Sequence, residues 1–342
     1  MRALIVVPAL NEAEHLPAVV STLLQDSAAL AGLLLVIADG GSTDGTVAIA
    51  QGLASAHPQV RLLHNKARLQ SAAVNLAVRS FGRDYDVLVR CDAHARYPHG
   101  YCARLIETLQ RVEADAVVVP LDSEGHGALQ RAIAWVSNSF VGTGGSAHRG
   151  GRQSGFVDHG HHAAFRMQMF QRCGGYDESF THNEDAELDC RQRALGARVY
   201  LDSTIRVGYW PRASLGSLWQ QYFRYGKGRS RTARRHPGSL RLRQLALPAH
   251  LSLSLLALLL SPWHPGLLLW PVAYLCSLVA ISLGFAVRHR SPAGLLAGPA
   301  AFVIHNAWAV GFLVGLLQLR ERVWRTAMVA PLQLGTSAGD GT

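Results

Sequence analysis

The sequence predicts an α/β domain that is followed by a membrane region. Short apolar runs alternate with helical stretches of about ten residues through the first third of the chain, which is the pattern of βαβ units on a parallel sheet. Residues 245–319 carry only two formal charges, Arg288 and Arg290. Between these parts, residues 224–243 contain eight Lys or Arg and no Asp or Glu, within a chain of net charge +10.

Five apolar runs are expected to form the strands of this sheet, at residues 3–7, 33–37, 60–64, 87–90 and 116–120. The helices between them are expected to end near Leu24, Ala56, Ser80 and Glu113. Later strands are expected at 198–202 and 205–209, after a helix that ends near Leu195 with Gly196 as its C′ residue. The N-terminal apolar run is short and contains Pro8, so it is interpreted as a strand and not as a signal peptide.

Polar side chains follow each of the first four predicted strands, namely Glu12, Asp39, Arg68, and Asp92 with His94. The carboxyl ends of parallel strands share one edge of a sheet, where α/β proteins bind their ligands. We therefore expect these loops to converge on a cleft. The alternative is that each is a solvated loop residue.

Asp92 and His94, two residues apart at a strand end, are candidate ligands for a divalent cation that holds a diphosphate. The alternative is a strand-end turn with a solvated imidazole. The cluster at residues 158–162 offers His159, His161 or His162 as a third ligand, although pairing of these imidazoles with carboxylates is the preferred interpretation. The glycine-rich segment 141–155 is interpreted as a mobile loop, and its contact with a ligand stays open.

Glu184 and Asp185 are expected in the first turn of a helix, where the dipole stabilises ionised carboxylates whether or not they do chemistry. Residues 214–236 are expected to form a helix that carries aromatic and basic side chains. Such a helix can bind nucleic acid or lie on an anionic membrane, and the apolar sequence that follows favours the membrane. Arg229, Arg231, Arg234 and Arg235 are expected to attract phosphate groups of a lipid there.

Three apolar segments, at 245–263, 266–287 and 293–319, are each long enough to span the hydrocarbon core. The positive-inside rule places residues 224–243 and 288–290 in the cytoplasm and the turn at 262–265 outside. Three crossings would then place the C-terminus outside, although Arg320, Arg322 and Arg325 favour the inside. A re-entrant third segment and a fourth membrane element both stay open. Five scattered cysteines without a C-x-x-C pair suit a reducing cytoplasm.

Four motifs in order resemble the GT-A domain of family-two inverting glycosyltransferases. They are VVPALNE at 6–12, DGGSTDGT at 39–46, DAH at 92–94 and NED at 183–185. The segments 90–95, 158–162 and 221–229 look like the succinoglycan type of exopolysaccharide transferase. The resemblance implies a Rossmann-like mixed sheet flanked by helices and followed by transmembrane helices.

The resemblance also implies a role for each motif residue. Pro8, Glu12, Asp39, Arg68 and Asp92 would bind the nucleotide, with Asp92 and His94 holding Mn²⁺ or Mg²⁺ in the place of a D-x-D motif. Asp185 would be the catalytic base, with Glu184 tuning it or orienting the acceptor. The acceptor or diphosphate would be held by Gln221, Arg224, Tyr225 and Lys227, which resemble a Q-x-x-R-W region. His94 in place of Asp and Tyr225 in place of Trp depart from these patterns.

These expectations describe a single displacement that moves a sugar, expected to be glucose, from a UDP-sugar to a polyprenyl-diphosphate-linked glycan. The chain would be a multi-pass protein of the inner (plasma) membrane, in contact with its lipids, with no nucleic-acid partner. The expected domains are a cytoplasmic catalytic domain at 1–212, an interfacial segment at 213–243, a membrane domain at 244–320 and a partly disordered tail at 321–342. The alternatives are a processive synthase, a polyprenyl-phosphate glycosyltransferase and a catalytically silent membrane scaffold.

Overall fold

A computed structural model describes residues 1–30, 32–145 and 153–318 of the chain, so the tail at 321–342 and the arginines at 320, 322 and 325 lie outside the described residues. The strands are β1 (Ala3–Ala9), β2 (Leu33–Asp39), β3 (Val60–His64), β4 (Val87–Arg90), β5 (Ala116–Val119), β6 (Leu121–Ser123), β7 (Gly155–Phe156), β8 (His161–Arg166), β9 (Val199–Leu201) and β10 (Val207–Tyr209). The helices of the first part are α1 (Leu16–Leu24), α2 (Thr46–Ala56), α3 (Gln70–Phe81), α4 (Tyr101–Arg111), α5 (Ala128–Ser137), α6 (Phe140–Thr143), α7 (Met167–Arg172) and α8 (Glu184–Ala194).

The main sheet is mixed and has the strand order β3-β2-β1-β4-β8-β5-β9-β7. Strands β1 to β4 are parallel, whereas β8 runs antiparallel between β4 and β5. The five strands predicted in the first third of the chain are therefore present, but the fifth is separated from the fourth by a strand that comes later in the sequence. The strand expected at 205–209 pairs with β6 in a separate two-stranded sheet instead of joining the main one.

Helices cover both faces of the main sheet because alternate residues of its central strands are apolar in both directions. Ile5 and Val7 of β1 pack on one side, in a core that includes Tyr101 of α4. Leu4 and Val6 pack on the other side, in a core with residues of α3, α7 and α8. The carboxyl ends of β1, β2 and β4 are thereby held at one edge, which is where the predicted polar loops begin.

The second part of the chain consists of α9 (Leu215–Arg235), α10 (Ala246–Leu260), α11 (Leu269–Arg288) and α12 (Ala297–Leu317). With the short 3₁₀ turns that precede α10, α11 and α12, three continuous helices at Leu242–Leu260, Pro265–Arg288 and Pro292–Leu317 are long and apolar enough to cross a membrane. This agrees with the three predicted apolar segments. Segment 141–155 is not entirely a loop, because its start belongs to α6, while 146–152 lie outside the described residues.

The contacts of α9 correct the expectation that Arg229, Arg231, Arg234 and Arg235 attract lipid phosphates. Arg231 donates to the carbonyl oxygen of Ser179 at 2.7 Å, and Arg235 pairs with the buried carboxylate of Asp177. Arg234 donates to the carbonyl of Gly315 in α12. Arg229 is buried too, and it hydrogen-bonds Ser239 and Gln244. Arg231 and Arg235 thereby join α9 to the first part of the chain, whereas Arg229 and Arg234 bind residues of the second part.

Candidate active site

Ten of the twelve predicted site residues converge on one cleft of about 1860 Å³ at the carboxyl edge of the sheet. Its lining includes Pro8, Glu12, Arg68, Asp92, His94, Glu184, Asp185, Gln221, Arg224 and Tyr225. Asp39 is not part of the lining, because its buried carboxylate accepts hydrogen bonds from the backbone N–H groups of Gly41 and Ser42 and so shapes its own loop. Lys227 lies on α9 and does not line the cleft either.

A buried arginine joins the two acidic motifs of the cleft. Arg90 ends strand β4, and its side chain is 6% exposed. Its guanidinium pairs with Asp185, and Nη2 lies 3.6 Å from the Glu184 carboxylate and 4.0 Å from that of Asp92. Although burial opposes the charge, these carboxylates raise the pKa of Arg90. Sequence reasoning assigned Arg90 no role, and the available signal was a single charge that ends an otherwise apolar strand.

Asp185 is held in its ionised form by two cationic groups. Burial favours its neutral form, but Arg90 and His162 lower the pKa of the carboxyl well below its usual range. His162 Nδ1 lies 3.3 Å from Asp185 Oδ1 and within hydrogen-bonding distance of the Tyr176 hydroxyl at 2.9 Å. These contacts fix the position of the Asp185 carboxylate at the start of α8.

The neighbouring Glu184 has the opposite tendency. Burial and the negative charge of Asp185 raise the pKa of Glu184 to about 7, against a lowering by Arg90. Two adjacent carboxyl groups therefore differ widely in proton affinity. Asp185 therefore carries the negative charge, whereas the raised pKa of Glu184 lets its carboxyl retain a proton and donate a hydrogen bond that Asp185 cannot.

The histidine cluster pairs with carboxylates, which confirms the preferred interpretation. His162 Nε2 is 2.8 Å from Asp189 Oδ1, and His159 Nδ1 is 2.7 Å from Asp189 Oδ2. Burial opposes protonation of His162, but Asp189 and Asp185 raise its pKa. His161 differs, because its Nε2 lies 3.8 Å from Asp92 Oδ2 and it lines the cleft.

The donor set of the D-x-H motif fits a divalent cation. His94 Nδ1 is 2.8 Å from Glu12 Oε1, so Nδ1–H donates to the carboxylate and leaves Nε2 as the nitrogen available to a metal. Asp92 supplies a carboxylate and is anchored by a hydrogen bond from Gln70. Among the described residues no group of three or more His, Cys, Asp or Glu is arranged to hold a metal by itself. The motif thus provides a partial ligand set that suits a cation shared with a diphosphate.

The far side of the cleft is built by α9. Gln221 donates from Nε2 to the hydroxyls of Tyr209 and Tyr225, both at 3.1 Å. His182 faces Tyr225 with their rings 6.3 Å apart, and burial together with the positive charges of Arg224 and Arg212 lowers the pKa of His182 to about 4. Tyr225, which is hydrogen-bonded to Gln221, therefore contacts the segment that precedes Glu184.

Beyond this wall the cleft continues to the apolar helices. Its lining there comes from α6, from the start of α10 and from α11 and α12, with Phe140, Val141, Leu247, Ile281, Ile304, His305 and Trp308. Arg241 and Arg243 also belong to the lining of the cleft. One continuous cavity therefore connects the carboxylates to an apolar surface.

This fold and this cleft define a glycosyltransferase with a GT-A catalytic domain. The family description "Glycosyl transferase family 2" matches residues 4–174, and the chain belongs to that family. The chain is also 43% identical over 330 residues to the succinoglycan biosynthesis protein ExoA of Rhizobium meliloti, covering 94% of this chain and 97% of that protein. The predicted fold class and glycosyltransferase family are thereby confirmed.

Two more distant similarities extend over most of the chain. The dolichyl N-acetyl-α-D-glucosaminyl phosphate 3-β-D-2,3-diacetamido-2,3-dideoxy-β-D-glucuronosyltransferase of Methanococcus voltae is 22% identical over 321 residues, 92% of this chain and 97% of that protein. The solved structure of the mannosyltransferase PcManGT from Pyrobaculum calidifontis, in complex with GDP-Man and Mn²⁺, has a TM-score of 0.62. It is 18% identical and covers 91% of this chain and 87% of its own, which shows a shared fold.

Proposed function

We propose that the protein is a membrane-anchored, inverting glycosyltransferase that moves a sugar, glucose in the first instance, from a UDP-sugar to a lipid-linked oligosaccharide during exopolysaccharide assembly. The single observation that carries this proposal is the continuity of the cleft. The carboxylates at the strand ends and the apolar residues of α6, α10, α11 and α12 line the same cavity. A sugar acceptor on a lipid diphosphate needs both surfaces at once.

The relatives support the two halves of the proposal. ExoA of Rhizobium meliloti is named for succinoglycan biosynthesis, and it matches nearly the whole chain. The Methanococcus voltae enzyme is named for a sugar that is linked to dolichyl phosphate, and it too matches the helices at the C-terminal end. The catalytic domain is proposed to lie on the cytoplasmic face of the plasma membrane. The unpaired state of all five cysteines, each of which is described, suits that compartment.

The proposed chemistry is one displacement at the anomeric carbon. The acceptor hydroxyl oxygen bonds to this carbon while the bond to the diphosphate oxygen breaks, and Asp185 takes the hydroxyl proton. Arg90 and His162 keep Asp185 ionised and aimed into the cleft. Glu184, with its raised pKa, donates a hydrogen bond that orients the acceptor. A Mn²⁺ or Mg²⁺ ion held by Asp92 and His94 would neutralise charge on the leaving diphosphate.

The second candidate is transfer to polyprenyl phosphate itself, with no glycan present. The Asp185 site argues for a hydroxyl acceptor, because an ionised phosphate has no proton for a base to remove. A processive synthase is a weaker candidate. Such enzymes carry a Q-x-x-R-W motif in the region that holds the acceptor, and this chain has Tyr225 in place of the Trp.

The test is transfer by the purified full chain in lipid vesicles, using a panel of radiolabelled UDP-sugars. Three acceptors are compared, namely a polyprenyl-diphosphate-linked glycan, polyprenyl phosphate, and the same glycan without lipid. We expect transfer from UDP-glucose to the first acceptor at a rate at least ten times that of the other two. Transfer to polyprenyl phosphate alone would favour the second candidate. The absence of both transfer and hydrolysis with every UDP-sugar in the panel would overturn the proposal.

A matched pair of variants on α10 tests the apolar end of the cleft. Leu247 lines it, whereas Leu253 on the same helix is 50% exposed and does not. Leu247→Trp narrows this end of the cleft and should lower the rate with the lipid-linked acceptor several-fold while UDP binding is kept. Leu253→Trp should change neither quantity. Equal rates in the two variants would show that the lipid does not use this end.

A further inference from the structure

Helix α12 differs from the other two apolar helices in how much protein covers it. In the helices that contain α10 and α11, only 11% of the 18-residue apolar stretch is buried by protein. In the helix that contains α12, the buried share of that stretch is 44%. The buried face of α12 includes Ala300, Ile304, Ala307 and Phe312. The helix that contains α12 is long enough to cross a membrane, so its length does not distinguish it from the other two. Its contacts with the rest of the protein are the evidence for its position.

The first half of α12 packs on the catalytic domain. Ala297, Ala300 and Ile304 share an apolar cluster with Ile133 and Val136 of α5. His305, near the middle of the helix, lies with Nε2 2.7 Å from the carbonyl oxygen of Val141 in α6. Since a carbonyl only accepts, Nε2 carries the proton and Nδ1 accepts from the Tyr274 hydroxyl at 3.1 Å. This midpoint is therefore tied to the catalytic domain by a hydrogen bond.

The second half of α12 runs beside α9 in the same direction. A Cβ atom at Gly311 would lie 2.0 Å from the carbonyl oxygen of Phe223, and one at Gly315 would lie 2.0 Å from Ser230 Oγ. Such distances leave no room for a side chain at either glycine, so the backbone of α12 lies directly against α9. The later residue of α12 therefore contacts the later residue of α9, as in a parallel pair of helices. Near the C-terminal ends of both helices, Arg234 donates to the carbonyl of Gly315.

Helix α9 cannot itself lie within the hydrocarbon core. It carries six Lys or Arg between residues 224 and 235, and charges at that depth are costly. Its other side is fixed to the catalytic domain, since Arg231 binds Ser179 and Asn183 Nδ2 donates to Thr232 Oγ1 at 2.7 Å. A helix that follows α9 along its length stays at the same depth as α9.

We infer that α12 does not cross the bilayer, and that the membrane surface beneath it is contacted by α10 and α11. Helix α12 lies between the catalytic domain and those two helices, and the chain leaves Leu317 on the side of the catalytic domain. Exposed leucines and valines cover α10 and α11, including Leu255, Leu259, Val279 and Val287. The lipid-facing surface is thus a hairpin that enters and returns.

The test is the relative location of the two chain ends, measured with different epitope tags at the N- and C-termini of the full chain. External protease is applied to right-side-out spheroplasts and to inverted vesicles. We expect both tags to resist protease in spheroplasts and both to be cleaved in inverted vesicles. A C-terminal tag that is cleaved in spheroplasts while the N-terminal tag resists would overturn the inference. The readout needs no activity, so it is independent of the proposed function.

Two glycine variants provide a second measurement on the same inference. Gly311→Leu places a side chain against the α9 backbone, whereas Gly284 in α11 has nothing within 4 Å of its Cβ position. We expect Gly311→Leu to lower the thermal midpoint of the detergent-solubilised protein by several degrees or to reduce its yield. Gly284→Leu should match the wild type. If α12 were a separate span facing lipid, both variants would behave like the wild type.

Discussion

Arg90 and Asp185 form an ion pair in the lining of the cleft although 95 positions separate them in the chain. The pair joins the end of β4 to the start of α8, and thereby joins the D-x-H motif to the E-D motif. With Glu184 and Asp92 also near the guanidinium, one buried cation organises three carboxylates. The geometry of the site therefore depends on a residue that carries no recognised motif function.

Removing this cation should destabilise the protein strongly. Arg90→Met leaves Asp185 buried without its partner, and we expect a loss of about 3–5 kcal/mol in the free energy of unfolding. Denaturant unfolding of the detergent-solubilised protein measures it. Arg79→Met is the matched control, because its pair with Glu178 is partly exposed and should be worth less than about 1 kcal/mol. Equal losses in the two variants would contradict the buried-pair interpretation.

Replacing the proposed base should separate catalysis from binding. We expect Asp185→Asn to lower transfer by about 10²–10⁴-fold, the usual contribution of a positioned base, because the amide cannot take the acceptor proton. UDP affinity, measured by calorimetry, should change little. Asp84→Asn, on the surface of the same domain, serves as the control for an Asp-to-Asn change. Near-normal turnover of Asp185→Asn would exclude this residue as the base.

Glu184 should give the stability of the protein a distinctive pH dependence. Its pKa is about 7 in the folded protein, against an ordinary value of 4.5. Between these values the folded state binds a proton that the unfolded chain has released, so stability falls as the pH rises through this window. We expect Glu184→Gln to remove that part of the decline in the thermal midpoint.

The control for this measurement is Glu107→Gln, which changes an exposed carboxyl on α4. It should keep the pH profile of the wild type. A Glu184→Gln profile that runs parallel to the wild type from about pH 4.5 to 7 would show that the Glu184 carboxyl is not the source of the decline.

Glu12 should act on the metal through His94. A carboxylate that accepts from the distal ring N–H of a metal-binding histidine commonly accounts for 10–100-fold in metal affinity. We expect Glu12→Gln to weaken Mn²⁺ binding in the presence of UDP by about that factor, as measured by electron paramagnetic resonance titration. Glu14→Gln, two residues away and exposed, should bind Mn²⁺ like the wild type.

Chelation gives a simpler check on the same site. Excess EDTA should stop transfer and added Mn²⁺ should restore it. Full activity in EDTA would remove the metal role of Asp92 and His94, and unchanged Mn²⁺ affinity in Glu12→Gln would remove the orienting role of Glu12.

The sequence by itself determined the local elements and the edge of the sheet that carries the site. Apolar runs of strand length and apolar segments of membrane length are local patterns, so β1 to β5 and the three long helices could be predicted from them. Because parallel strands present their carboxyl ends together, the convergence of Glu12, Arg68, Asp92 and His94 could be predicted from their positions directly after predicted strands.

Only the tertiary structure decided which charged groups meet. The insertion of β8 between β4 and β5 brings His162 to Asp185, and no local pattern predicts a pairing between strands so far apart in the chain. The same holds for α12, whose composition is that of a membrane span but whose contacts with α9 tie it to the catalytic domain. Hydropathy describes the free energy of transferring a segment from water into lipid. The position of the segment also depends on the free energy of the protein contacts that compete with lipid.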